Sequence, residues 1–244
     1  MDNNEILKSF EPKKELNPKV WDLSGGDATM KPEVRERLLV IAYEFIDFLD
    51  IDIVVTDIIL TGSLSNYNWS KYSDFDLHIV ANFSQYPENQ IELYEKLFNL
   101  KKIIFNKNHD ITIFGYEVEL YVQNEVETHF SSGVYSVLFD EWSNEPEKEE
   151  FVVDKDLLKE KSRQWMNIID GVIENIEDED VDTAKELVDK YKKKLKKYRT
   201  CGLEKDGEYS TENLVFKILR RNGYIEKLHS LSTTILDKKL TMKQ

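Results

Sequence analysis

Two aspartates one residue apart, Asp74 and Asp76, open an apolar run containing Phe75, Leu77, Ile79 and Val80 that reads as a β-strand. Successive strand side chains alternate between faces, so residues i and i+2 point the same way. The pair therefore forms a carboxylate grip for divalent cations, and an oxygen-rich site suits Mg²⁺ or Mn²⁺. Upstream, the apolar run 53–60 ends in Thr61, Gly62 and Ser63. Without a Cβ, Gly62 permits a tight turn and close approach of a ligand to the backbone. A helix beginning near Ser63 would present free N–H groups that attract phosphate. One side of the site is then expected to hold phosphate and the other metal.

This order of strand, Gly-Ser turn, spacer and Asp-x-Asp resembles the motif of the DNA polymerase β-like nucleotidyltransferase superfamily. The resemblance implies a metal-dependent transfer of a nucleoside monophosphate from an NTP, with Gly62 and Ser63 holding the terminal phosphates and Asp74 and Asp76 binding Mg²⁺ or Mn²⁺. It also implies a third carboxylate on a later strand. Residues 115–122 offer Glu117 and Glu119 on one strand face with Tyr121, and Val118, Leu120 and Val122 on the other. Glu119 matches the family pattern better, with Glu117 as the second choice. Paired cations about 3.5–4 Å apart stabilise the attacking and leaving oxygens of an in-line displacement, and the third carboxylate is implied on the acceptor side. A narrower resemblance, carried by residues 16–21, 31–35, 131–135 and 212–225 together with the motif, is to uncharacterised nucleotidyltransferases of large tailed bacteriophages and some bacteria.

The spacer between the motif halves holds Tyr67, Trp69, Lys71 and Ser73. Either aromatic stacks on a base or both pin the loop to the domain; Lys71 is placed to touch a phosphate. Ser73 orients the aspartates or caps a turn. His78 shares parity with Asp74 and Asp76, but no second His or Cys stands at metal-ligand spacing, which favours a hydrogen-bonded structural role. His109 and His129 fall in expected loops. Cys201 is the single cysteine, which excludes an intrachain disulfide framework and suits a reducing cytosol.

The elements that must position this site follow from the apolar periodicity. Pro32 starts a helix to about residue 49, striped by Val34, Leu38, Ile41, Ala42 and Phe45, and Pro87 opens another carrying Ile91, Leu97 and Phe98. With the strands between them these predict an α+β fold: a mixed sheet with helices on one face, followed by a C-terminal helical domain. The expected divisions are an irregular arm over 1–31 anchored by Val20 and Trp21, a core over 32–142, a charged linker over 143–153 and helices over 154–244. Residues 129–142 are expected to form a loop over the site ending in a short helix capped by Ser131 or Ser132, or a plain crossover.

Net charge is −14, distributed unevenly: residues 1–180 hold 17 Lys/Arg against 38 Asp/Glu, and residues 181–244 hold 16 against 9. That balance disfavours indiscriminate nucleic-acid binding by the first part only. Helical patterns cover 154–177, 181–199, 211–222 and 224–239. In the basic run 190–199, Tyr191, Leu195 and Tyr198 keep one side apolar, leaving the lysines on a solvated face or in contact with a triphosphate or nucleic acid. In the next helix, capped by Ser210, Lys217, Arg220 and Arg221 lie on neighbouring positions. The superfamily resemblance gives these three the NTP phosphates. No signal peptide or membrane-length apolar run is apparent, so a cytoplasmic protein without membrane contact is expected, in the host cytoplasm if phage-encoded. The acceptor, RNA end, protein, small molecule or nucleotide, is not specified. A noncatalytic nucleotide-binding or assembly protein that keeps the fold is the competing reading.

Overall fold

The computed structural model describes residues 3–127, 131–148, 152–176 and 180–242. The chain divides into two compact units, residues 11–151 and residues 1–10 with 152–244. In chain order the elements are α1 (Asn3–Lys8), β1 (Trp21–Asp22), β2 (Thr29–Met30), α2 (Pro32–Leu49), β3 (Val55–Thr61), β4 (Phe75–Ala81), α3 (Ile91–Asn108), β5 (Thr112–Ile113), β6 (Tyr116–Asn124), β7 (Val134–Ser136), β8 (Glu141–Asn144), α4 (Lys155–Ile176), α5 (Val181–Asp206), α6 (Thr211–Arg221) and α7 (Tyr224–Leu240). The fold is α+β, as the periodicity predicts.

In the first unit, six strands run in the order β5-β6-β4-β3-β7-β8. Only β4 and β6 pair in parallel, joined through α3, so the sheet is mixed. Alternation divides the sheet faces. Ile58, Leu60, Phe75, Leu77, Ile79, Val118 and Leu120 enter one core with Val34, Leu38 and Phe45 of α2 and Phe98 and Phe105 of α3. Burying these side chains, each contributing about 1.5–3 kcal/mol, drives α2 and α3 onto this face. The opposite face carries Asp76, His78, Glu119 and Tyr121. Beyond its short pairing with β5, β6 has an open edge, and Asn106 closes part of it: its amide bonds the Leu120 carbonyl at 3.1 Å and the Leu120 N–H at 3.2 Å.

The expected arm is shared between the two units. Residues 3–8 are helical and belong with the C-terminal helices, whereas Val20 and Trp21 are fully buried in the sheet unit. Trp21 stacks on Trp142 at 4.5 Å between ring centres and meets Tyr135 edge-on at 4.9 Å. Residues 131–142 depart from expectation: no helix forms, and β7 and β8 pair instead, with β7 joining β3. Val134 and Tyr135 favour a pleated, half-buried surface, and the sheet edge at β3 supplies the partner backbone. β8 also takes Ser143 and Asn144 from the expected linker. Arg35 fixes the tip of this hairpin, donating to the carbonyls of Val137 and Leu138 at 2.8 Å each and pairing with Asp140 at 3.3 Å.

The second unit packs α4, α5, α6 and α7. The helix expected to stop near residue 199 continues through Gly202 to Asp206; a Cβ at Gly202 would lie 2.5 Å from Glu212 Cβ, so this glycine serves close packing of α5 on α6. Ser210 caps α6 as expected, accepting from the Asn213 N–H. Among the described residues no helix is long and apolar enough to cross a membrane.

Replacing Arg35 with Met removes two bonds to backbone carbonyls and the Asp140 pair. Urea unfolding followed by tryptophan fluorescence is expected to show a loss of about 2 kcal/mol; an unchanged midpoint would show that the hairpin holds without it.

Candidate metal centre

Strand register assembles the acidic cluster. Thr61 of β3 pairs with Asp76 of β4, and Asp76 pairs in turn with Glu119 of β6. Asp74 lies two residues before Asp76, immediately outside the strand, on the same side. The three carboxylates each offer an oxygen within 4.8 Å of the others, and all three residues are half-buried. Glu117, the second choice for the third carboxylate, pairs with Thr112 and is exposed outside this cluster.

Electrostatics decides what such a cluster requires. Two unit charges about 4 Å apart repel by about 4 kcal/mol at an effective dielectric of about 20, and the cluster contains three such pairs. One charge-assisted hydrogen bond contributes about 1.5–3 kcal/mol. The bond present here is donated by the Tyr121 hydroxyl to Glu119 Oε2. It orients Glu119, and a cation held among the three carboxylates would offset their repulsion. Burial, followed by the Glu119 bond and the charges of Asp76 and Asp74, pushes the Tyr121 phenol well above its ordinary range, so it stays a donor. Hard oxygen donors, half-buried and convergent, fit a divalent cation of the Mg²⁺ or Mn²⁺ type.

The Gly-Ser turn abuts the cluster. Gly62 has φ +77°, which demands glycine, and a Cβ there would lie 2.0 Å from Asp76 Oδ2 and displace that carboxylate. The helix expected from Ser63 is only a three-residue turn, Ser63–Ser65. Its polar groups fold back locally: the Ser65 N–H and hydroxyl both reach the Gly62 carbonyl, at 3.3 and 2.9 Å, which ends the turn before a helical ladder forms. The phosphate-attracting helix terminus is therefore not part of this site. The Gly62 N–H itself donates to Ser131 Oγ at 3.2 Å. Ser131, expected only as a helix cap, instead sits over the turn.

Ser73 links the motif halves. Its hydroxyl accepts from Ser63 Oγ at 2.7 Å and from the Ser70 N–H at 2.9 Å, which ties the spacer to the turn one residue before Asp74. Trp69 and Tyr67 pin the spacer: Trp69 Nε1 donates to the Glu15 carbonyl at 2.9 Å, the Tyr67 carbonyl accepts from the Lys13 N–H at 2.7 Å, and both rings pack on the main core. Lys71 is exposed, its ammonium 5.0 Å from the Tyr72 ring centre. His78 is structural in its contacts, with Nδ1 2.7 Å from Gln123 Oε1 and its ring stacked at 4.7 Å on Tyr121.

Two residues that sequence reading gave no role support the acidic face. Tyr121 was legible as a neighbour of Glu119 by strand parity. Lys102 of α3 was not, because no local pattern joins it to β6; its ammonium lies 4.4 Å from the Tyr121 ring centre, and burial lowers its pKa while the Glu119 charge opposes that shift. His109 caps the end of α3, and His129 lies outside the described residues.

Lys217, Arg220 and Arg221 belong to the helical unit. Arg221 bonds Ser9 Oγ at 2.6 Å and lies over the Phe10 ring, tying residues 9 and 10 to α6. Burial, foremost, lowers the Lys217 pKa, opposed by Glu208 and reinforced by Arg221, Arg220 and Arg199; Arg220 is exposed.

Compared with family models, with curated proteins and with solved structures, the chain gives no match.

The wild-type protein is expected to bind Mn²⁺, measured by titration calorimetry. Asp76→Asn should abolish that binding, and Tyr121→Phe, which frees Glu119, should weaken it about tenfold. Equal Mn²⁺ affinity in all three would remove the cluster as the metal centre.

Proposed function

We propose that the protein is a metal-dependent nucleotidyltransferase that moves a nucleoside monophosphate from an NTP to a hydroxyl acceptor. The observation that carries this reading is the convergence of Asp74, Asp76 and Glu119 beside the glycine turn at Gly62. A cation site alone would not require the second feature. A turn with no Cβ directly beside Asp76, held at Ser63 by Ser73, supports the reading that the backbone there meets the phosphates of an NTP.

In this reaction the acceptor oxygen forms a bond to the α-phosphorus of the NTP. The bond from that phosphorus to the bridging oxygen breaks, and pyrophosphate leaves with the electron pair. Bound Mg²⁺ or Mn²⁺ supplies positive charge to the attacking and leaving oxygens. Asp74 and Asp76 hold that charge on the β4 side. Glu119, oriented by the Tyr121 hydroxyl, holds it on the β6 side and offers a carboxylate oxygen to take the acceptor proton. Glycine at position 62 keeps the Asp76 carboxylate free of steric overlap, and Ser73 keeps the Gly-Ser turn against the acidic loop.

Incubating the protein with labelled ATP, CTP, GTP and UTP, Mg²⁺ or Mn²⁺ and a cell extract should release pyrophosphate and label one acceptor. Asp74→Asn, Asp76→Asn and Glu119→Gln should each reduce that release by about 10³-fold or more, the scale of losing preorganised charge stabilisation. Metal-dependent NTP binding without turnover under all these conditions would replace the proposal with a noncatalytic nucleotide-binding protein. Release equal in wild type and Asp76→Asn would reject the site itself.

A further inference from the structure

The helical unit carries a second feature that the acidic centre does not use. From Lys190 to Arg199 the sequence holds seven Lys/Arg and no carboxylate. A charge run of this kind on a helix is ordinarily a solvated face, and by itself identifies nothing. Here it borders a groove of about 450 Å³ between α5, α6 and α7. Lys192, Lys193, Lys196 and Arg199 line it together with an apolar floor that includes Phe216 and Leu228, and no Asp or Glu is among its lining residues.

Among the described residues, no ion pair engages Lys192, Lys193 or Lys196. Arg199 is fixed rather than mobile: Nε donates to Asn213 Oδ1 at 3.2 Å, and the guanidinium lies 4.6 Å from the Phe216 ring centre. The groove therefore joins planar and apolar surface to a row of positive charge. A compact inorganic anion would use the charge and leave the floor exposed to water. An apolar peptide would use the floor and bury lysines without partners.

We propose that this groove binds single-stranded nucleic acid, seating a base against the apolar floor beside Arg199 and Phe216 while phosphodiesters follow Lys192, Lys193 and Lys196. Unstacked bases are taken up by aromatic rings and guanidinium planes, and a basic track holds the backbone between them. The chain's net charge of −14 does not oppose this, because residues 181–244 carry 16 Lys/Arg against 9 Asp/Glu. Binding here is independent of nucleotide transfer and needs no metal.

The test uses the full chain in EDTA without NTP, and the anisotropy of a labelled oligothymidylate of about 20 nucleotides at about 50 and 200 mM salt. The triple substitution Lys192→Gln, Lys193→Gln and Lys196→Gln is expected to weaken binding at least tenfold and to lower the salt slope by about 2, given about 0.7 per single-strand phosphate contact. A control triple of exposed lysines in the sheet unit, Lys14→Gln, Lys107→Gln and Lys148→Gln, removes the same charge and should change affinity by less than about twofold. An abasic oligonucleotide of equal length should bind wild type about tenfold more weakly. The proposal is overturned if wild type does not bind, if the two triples lose affinity equally, or if the abasic strand binds as well as oligothymidylate. Association with phosphatidylglycerol vesicles in place of the oligonucleotide would also overturn it, and would assign the groove to a lipid surface.

Discussion

The parallel register between β4 and β6 is the constraint on which the rest of the sheet unit depends. It places Asp76 directly beside Glu119, with Asp74 two residues away on the same side, and so concentrates three negative charges where strand packing alone would favour apolar or hydrogen-bonded groups. The register cannot slip by one residue. A slip would carry Leu77 and Leu120 out of the core with α2 and α3 and drive carboxylates into it. Apolar burial on one face thus brings the three carboxylates together on the other, where they could hold a metal ion.

The surrounding polar contacts hold this arrangement. Tyr121 orients Glu119, His78 and Lys102 pack on the two-faced Tyr121 ring system, and Ser73 fastens the acidic loop to the Gly-Ser turn. The turn is itself held from behind, where Trp21 Nε1 donates to the Leu64 carbonyl at 2.7 Å. Gly133 completes the enclosure, since a Cβ there would sit 1.8 Å from the Ser65 carbonyl oxygen. Residues more than 40 positions apart in sequence therefore determine where Gly62 stands relative to Asp76.

Much of this was legible in the sequence for a physical reason: strand parity is a local property. Phe75, Leu77 and Ile79 alternating with Asp76 and His78 specify both the strand and its polar face, and the same alternation around Glu119 does so for β6. The choice of Glu119 over Glu117 came from a family resemblance and is matched by the register, which depends on pairing between strands about 40 residues apart. The stretches read less well depend on such distant partners. Ser63 opens a three-residue turn because the Ser65 hydroxyl bonds back to the Gly62 carbonyl, a competition that helix-start patterns do not reveal. Val134 and Tyr135 form a strand because β3 presents an edge to them. Lys102 reaches Tyr121 only because α3 crosses β6.

The most direct measurement is anomalous diffraction at the manganese edge from crystals of the full chain grown with MnCl₂. The arrangement of charges requires an anomalous peak among the carboxylate oxygens of Asp74, Asp76 and Glu119. A map with these three side chains ordered as described, but with manganese bound elsewhere or nowhere, would contradict it.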